Sequence, residues 1–118
     1  MFGFKRPHKP TIKCLYASEE YHVFTTDGGK TIEVFAQGNM EQLSLYGDSA
    51  AYIYGVVFSA SLLLDSPSET ARHAAVRLAN YAIRLQFQRA RGEELDYPTP
   101  EEAEAERLVL ELRAQARA

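Results

Sequence analysis

Two hydrophobic periods divide the chain. From residue 11 to about 37 apolar and polar positions alternate, and from about 40 onward apolar residues recur at three- and four-residue steps. Thr11 to Ala17, Tyr21 to Thr26 and Thr31 to Ala36 are rich in β-branched and aromatic residues and predict three strands. Asp27-Gly28-Gly29-Lys30 supplies the two glycines of a tight hairpin, whose central residues both need positive φ. That turn sets Thr25 opposite Ile32, Val23 opposite Val34 and Tyr21 opposite Ala36. A turn at Ser18-Glu19 then sets Tyr16 opposite Tyr21 and Cys14 opposite Val23. One face of this meander collects Ile12, Cys14, Tyr16, Tyr21, Val23, Ile32, Val34 and Ala36, and is expected to face the core. The other carries Lys13, Leu15, His22, Phe24, Glu33 and Phe35, more apolar than solvation requires.

Residues 39–47 read two ways. Asn39 and Gln42 suit a helix start, with Leu43, Tyr46, Ala50, Ile53, Val57 and Leu64 as its apolar stripe. Alternatively Gln42 to Tyr46 is a fourth strand, Gly47 breaks it, and the helix begins at Asp48. The following helix is expected to open with Ser66 as its cap, Pro67 at the first position and Glu69 closing a capping box. It runs through Arg91 and stops at Gly92, where a left-handed residue suits glycine. After a connector over 92–99, Thr99-Pro100-Glu101-Glu102 repeats the start signal. Ala105, Leu108, Val109, Leu112 and Ala116 form the stripe of a last helix.

The pattern predicts an α+β fold: a small antiparallel meander of three or four strands, then two or three long helices packed on one sheet face. With 118 residues the chain is one domain, divided into a basic arm over 1–10, a meander over 11–37 and a helical part over 40–118. A three-stranded sheet cannot bury itself, so the apolar helix near 48–64 is placed against it.

That helix contains the most apolar stretch, Ala50 to Leu64. Fifteen residues span roughly 22 Å, short of the ~30 Å hydrocarbon core, so it reads as the core helix of a soluble protein and not a membrane span. No long apolar run follows the basic start, and the one cysteine fits a reducing compartment, which together point to the cytoplasm. A net charge of -3 argues against coating nucleic acid by bulk charge.

Candidate chemistry is sparse. A single cysteine excludes an internal disulfide and a cysteine-based zinc site, and Cys14 is expected to be a buried small hydrophobe. His8, His22 and His73 form no metal-ligand spacing, so neither metal nor cofactor is expected. The glycine pair lies in a hairpin and cannot place a phosphate on a helix N-terminus. The acids at Glu93, Glu94 and Asp96 and at Glu101, Glu102, Glu104 and Glu106 fall where capping and helix-dipole roles suffice. No catalytic residue is assigned.

Three surfaces stand out. His73, Arg77, Asn80, Arg84, Gln88 and Arg91 fall within a sector of about 80° on one helix. The three arginines suit a carboxylate-rich or phosphate-rich partner, or else the acidic start of the last helix folds back on them. Lys5, Arg6, His8, Lys9 and Lys13 make a basic arm suited to phosphates or an acidic partner, or to solubility alone. Ala51, Gly55 and Ser59 give the central helix a smooth side, which fits tight core packing or a homodimer seam; Leu15, Phe24 and Phe35 add apolar area. The reading is a small cytoplasmic, non-enzymatic binding protein, an adaptor, regulator or inhibitor acting through protein–protein contacts as a homodimer. Its contact residues would be Leu15, His22, Phe24, Phe35, His73, Arg77, Arg84 and Arg91. The alternative is a nucleic-acid-associated regulator using the basic arm and the arginine stripe, although no helix-turn-helix, zinc or RNP signature supports it.

Overall fold

A computed structural model describes residues 11–117. Strands β1 (Lys13–Ala17), β2 (Tyr21–Thr25), β3 (Ile32–Ala36) and β4 (Glu41–Leu45) form one antiparallel sheet in chain order, followed by helices α1 (Gly47–Leu64), α2 (Glu69–Ala90) and α3 (Pro100–Arg117). The α+β class follows directly from the two hydrophobic periods. Residues 39–47 resolve as the fourth strand and the first helical residue, so the helical part begins at Gly47 and not near 40.

The β2–β3 hairpin has the expected register, with Tyr21 opposite Ala36 and Val23 opposite Val34. Gly28 and Gly29 hold φ of 77° and 100°. The turn is closed from within by Thr25, whose buried hydroxyl donates to the Thr31 carbonyl at 2.8 Å and accepts from the Gly29 N–H at 2.9 Å. Asp27 accepts from the Thr31 N–H at 2.9 Å. That contact and its companions hold the Asp27 carboxyl below its ordinary range.

The β1–β2 register differs from expectation. Ser18 donates its N–H to the Tyr21 carbonyl at 2.9 Å, a tight turn that sets Ala17 opposite His22 and Tyr16 opposite Val23. A bulge at Leu15 then shifts the pairing, so that Cys14 meets Phe24. The extra residue inverts the alternation of β1. Cys14 therefore lies on the outer face and is exposed, not buried, and Ile12 is 69% exposed. Leu15 moves the opposite way: it packs against the core cluster, and its carbonyl accepts from the Ser61 hydroxyl at 2.9 Å.

Tyr16, Val23, Ile32, Val34, Ala36 and Leu45 close onto Ala50, Ile53, Val57 and Ala60 of α1 and onto Ala75, Ala79, Ala82, Ile83 and Phe87 of α2. Alanines on α2 let neighbouring helices approach closely. Ala74, with Ala105 and Val109 of α3, forms a second small cluster, so α3 packs on α2 and not on the sheet. Tyr16 ties the sheet to α2, its hydroxyl donating to Asn80 Oδ1 at 2.8 Å. The α2 cap sits two residues later than predicted: Ser68 accepts from the Ala71 N–H at 3.2 Å, while Ser66 accepts from the Ser68 N–H. At α3 the predicted start is present in full, with Thr99 and Glu102 exchanging N–H bonds at 3.0 and 3.1 Å. The α1 helix is long and apolar enough to cross a membrane, but its buried side closes the sheet core, as in a soluble fold.

Candidate functional site

The helices cover one face of the sheet, and the outer face has no element packed on it among the described residues. Strand alternation places His22 and Phe24 of β2 and Glu33 and Phe35 of β3 on that face, with the bulge adding Cys14. His22 stands opposite Phe35, and Phe24 opposite Glu33, so the two phenylalanines are diagonal neighbours at the sheet centre. Both are half-buried by their neighbours. Polar groups frame them. The Ser44 hydroxyl donates to Glu33 Oε2 at 2.5 Å, and Gln42 Nε2 lies 3.3 Å from the same oxygen. The Gln37 amide lies 2.8 Å from His22 Nε2. This apolar centre with a polar rim unites three of the sheet residues singled out from the sequence. Leu15, the fourth, is turned inward by the bulge. Lys13 is exposed at the start of β1, and Lys5, Arg6, His8 and Lys9 lie outside the described residues.

The arginine stripe is divided. Arg84 reaches Glu102 through Nη1 at 3.1 Å and Nη2 at 3.2 Å, and its Nε lies 3.4 Å from Asp96 Oδ2, buried without a hydrogen bond. Gln88 holds Asp96 through both its side-chain N–H and the Asp96 backbone N–H, and the Tyr81 hydroxyl donates to the Asp96 carbonyl at 3.0 Å. Arg91 forks onto Glu41 of β4 and reaches Glu93 at 3.4 Å. Asn80 is taken by Tyr16 and Ser18. Hence Asn80, Arg84, Gln88 and Arg91 join α2 to the sheet, the connector and α3. Arg77 and His73 remain exposed beside a groove of about 400 Å³ that also borders Glu101 and Glu104. His73 Nε2 is 3.8 Å from Glu69 Oε1. No group of three or more His, Cys, Asp or Glu side chains suited to a metal ion occurs among the described residues.

A third surface was legible only in part. Five of the eighteen residues of α1 are buried, although the helix has no charged residue between Asp48 and Asp65. A helix apolar on all sides is normally covered on all sides. Here Tyr52, Phe58 and Leu62 are 53%, 56% and 65% exposed, and Leu110 of α3 is 55% exposed. Tyr52 and Leu110 border one groove of about 410 Å³ between α1, α2 and α3, with Ala51 and Gly55 on its wall. Of the small residues singled out from the sequence, Ala51 and Gly55 are exposed, and Ser59 is buried. The large flanking residues were not singled out, because a helix without a polar face gives no clue to which side is left open.

Compared with family models, with curated proteins and with solved structures, the chain matches none of them.

Proposed function

We propose that this is a small non-enzymatic binding protein of the cytoplasm, an adaptor, regulator or inhibitor that works as a homodimer through protein–protein contacts. The observations that carry this reading are the outer sheet face, where no described element packs over the half-buried Phe24 and Phe35, and the exposed Tyr52, Phe58 and Leu62 of α1. Contiguous apolar surface of this kind marks interaction sites more often than solvation. Aromatic residues at the centre of a polar rim are the composition of a protein interface. On this reading the outer sheet face, with His22, Phe24 and Phe35, takes the protein partner.

Arg84 and Arg91 support scaffold roles in place of partner contact, since each already holds a carboxylate of its own chain. Arg77 and His73 remain available to an acidic partner. The nucleic-acid alternative loses two of its three stripe arginines to these internal pairs.

The test is capture of partners from host lysate by the tagged full chain, with and without nuclease, beside a Phe24→Thr/Phe35→Thr variant. A stoichiometric protein that survives nuclease and is lost with the variant supports the reading. Recovery that collapses with nuclease, or that falls steeply with salt, would replace it by the nucleic-acid reading.

A further inference from the structure

We infer that Glu33, with Phe24 and Phe35, forms an arginine-recognition site on the outer sheet face that takes one guanidinium from the protein partner. The inference rests on the reading of that face as partner-binding and names what the partner presents to it.

Glutamate is depleted from strands, and here its neighbours are aromatic. Glu33 stands directly opposite Phe24 and two positions before Phe35 on the same side of β3. Directly opposed side chains start about 4.5–5.5 Å apart, and alternate residues of one strand about 6.6 Å apart. One carboxylate therefore lies beside two rings. All three residues are half-buried, so each keeps surface to offer.

The carboxylate is held by one oxygen. Glu33 Oε2 accepts from the Ser44 hydroxyl at 2.5 Å and from Gln42 Nε2 at 3.3 Å. Both donors come from β4, paired alongside in the ladder. Among the described residues Oε1 has no hydrogen-bond partner and Glu33 has no ion pair. Two side chains thus spend donors on fixing a carboxylate whose second oxygen is left over. Solvation alone needs neither bond.

Charge selects the occupant. Among the described strand residues that alternation places on this face, Glu33 carries the one formal charge, and none is lysine or arginine. The net charge of -3 adds to the attraction for a cation. A guanidinium fits better than an ammonium: its plane lies on a ring while its edge donates to a carboxylate. The chain builds that combination twice for itself. Arg84 lies 5.1 Å from the Tyr81 ring centre while pairing with Glu102, and Arg91 lies 5.7 Å from the Phe87 ring centre while forking onto Glu41. The outer face has the rings and the glutamate, and the arginine is left for the partner to supply.

The probes are acetyl-Gly-Arg-Gly-amide and its lysine and citrulline analogues, titrated into the isotope-labelled full chain and read by amide chemical shifts. The arginine peptide is expected to move the amides of Phe24, Glu33, Phe35 and Ser44 at millimolar concentration. The lysine peptide is expected to bind several-fold more weakly, and the citrulline peptide, which lacks the charge, to leave them unmoved. Glu33→Gln keeps an oxygen for Ser44 to donate to, so it is expected to fold, as thermal unfolding checks, while binding the arginine peptide at least about fivefold more weakly. Phe24→Leu keeps apolar bulk without the ring face and is expected to weaken binding about two- to fivefold. Unmoved amides, an equal response to the citrulline peptide, or undiminished binding by folded Glu33→Gln would overturn the site. If Phe24→Thr/Phe35→Thr still loses its captured partner in that event, only the arginine assignment fails. Capture retained by that variant is failure of the face itself, so the two are separable.

Discussion

Arg84 on α2 and Glu102 in the first turn of α3 form a two-pronged ion pair, with N–O separations of 3.1 and 3.2 Å. The pair lies where the connector closes, and Glu102 is also half of the Thr99 capping box. One carboxylate thus starts α3 and fixes it to α2.

Arg84→Gln is expected to destabilise the fold by about 1–2 kcal/mol, the range for losing charge-assisted hydrogen bonds at a partly exposed site. The damage should be local: protease cleavage between Gly92 and Thr99 rises before the sheet opens. Arg77→Gln, on the same stripe but exposed, is expected to change stability by less than about 0.5 kcal/mol. Urea unfolding of both variants with limited proteolysis checks the contrast.

Acid acts through the same contact. Burial raises the Glu102 carboxyl, but the hydrogen bonds from Arg84 and from the Thr99 N–H outweigh it and leave the group below its ordinary 4.5. The unfolded chain therefore binds this proton more readily than the folded one. The stabilisation is present above pH 4.5 and is lost as pH falls through the lower folded value. Glu102→Gln is expected to flatten the acid limb of stability against pH.

Base acts at Tyr16. Burial pushes its hydroxyl up from 10 to about 12, since a phenolate there would lose solvation between the sheet and α2. A raised acidic group stabilises the fold fully below pH 10, and that contribution fades as pH rises toward about 12. Tyr16→Phe is expected to cost about 1 kcal/mol at neutral pH and to lessen the alkaline loss. Denaturant titrations on either side of pH 10 measure both effects.

The hairpin separates two adjacent glycines. A Cβ on Gly29 would come 2.8 Å from the Tyr54 ring, while one on Gly28 would meet open space. Both have positive φ. Gly28→Asn is expected to be tolerated, because asparagine accepts the left-handed region. Gly29→Ala adds a collision to the strain and is expected to cost about 2–3 kcal/mol. Thermal unfolding of the two variants distinguishes them.

Much of this fold was legible from residue pattern, and the failures have local causes. Gly28-Gly29 fixed the β2–β3 register, and Thr99 with Glu102 fixed the α3 start, because each signal lies within a few residues of the structure it specifies. The β1 register differs from expectation first at the turn, where the Ser18 N–H to Tyr21 carbonyl bond sets Ala17 opposite His22 and Tyr16 opposite Val23, and then at the bulge at Leu15, which alternation along β1 cannot register. The bulge exchanged the environments of Cys14 and Leu15. Two serines competed for the α2 cap, and Ser68 is the one in reach of the Ala71 N–H. For the candidate surfaces, alternation alone placed His22, Phe24 and Phe35 on one face. The arginine stripe was correct as a helix face, yet its acids at Glu41, Asp96 and Glu102 come from three other segments, which periodicity along α2 cannot register.

The exposed thiol offers a direct probe of the outer face. Cys14 stands opposite Phe24 and is expected to react with a thiol reagent in native buffer without unfolding the chain. A bulky adduct there should reduce partner capture. Mass spectrometry of the labelled protein and capture with it read both.

Partner binding by the outer sheet face is the central claim, and quantitative capture by two proteins tests it most directly: wild type and Phe24→Thr/Phe35→Thr, each verified as folded. The sheet variant is expected to lose the partner that the wild type holds. Undiminished capture by the folded sheet variant would contradict it.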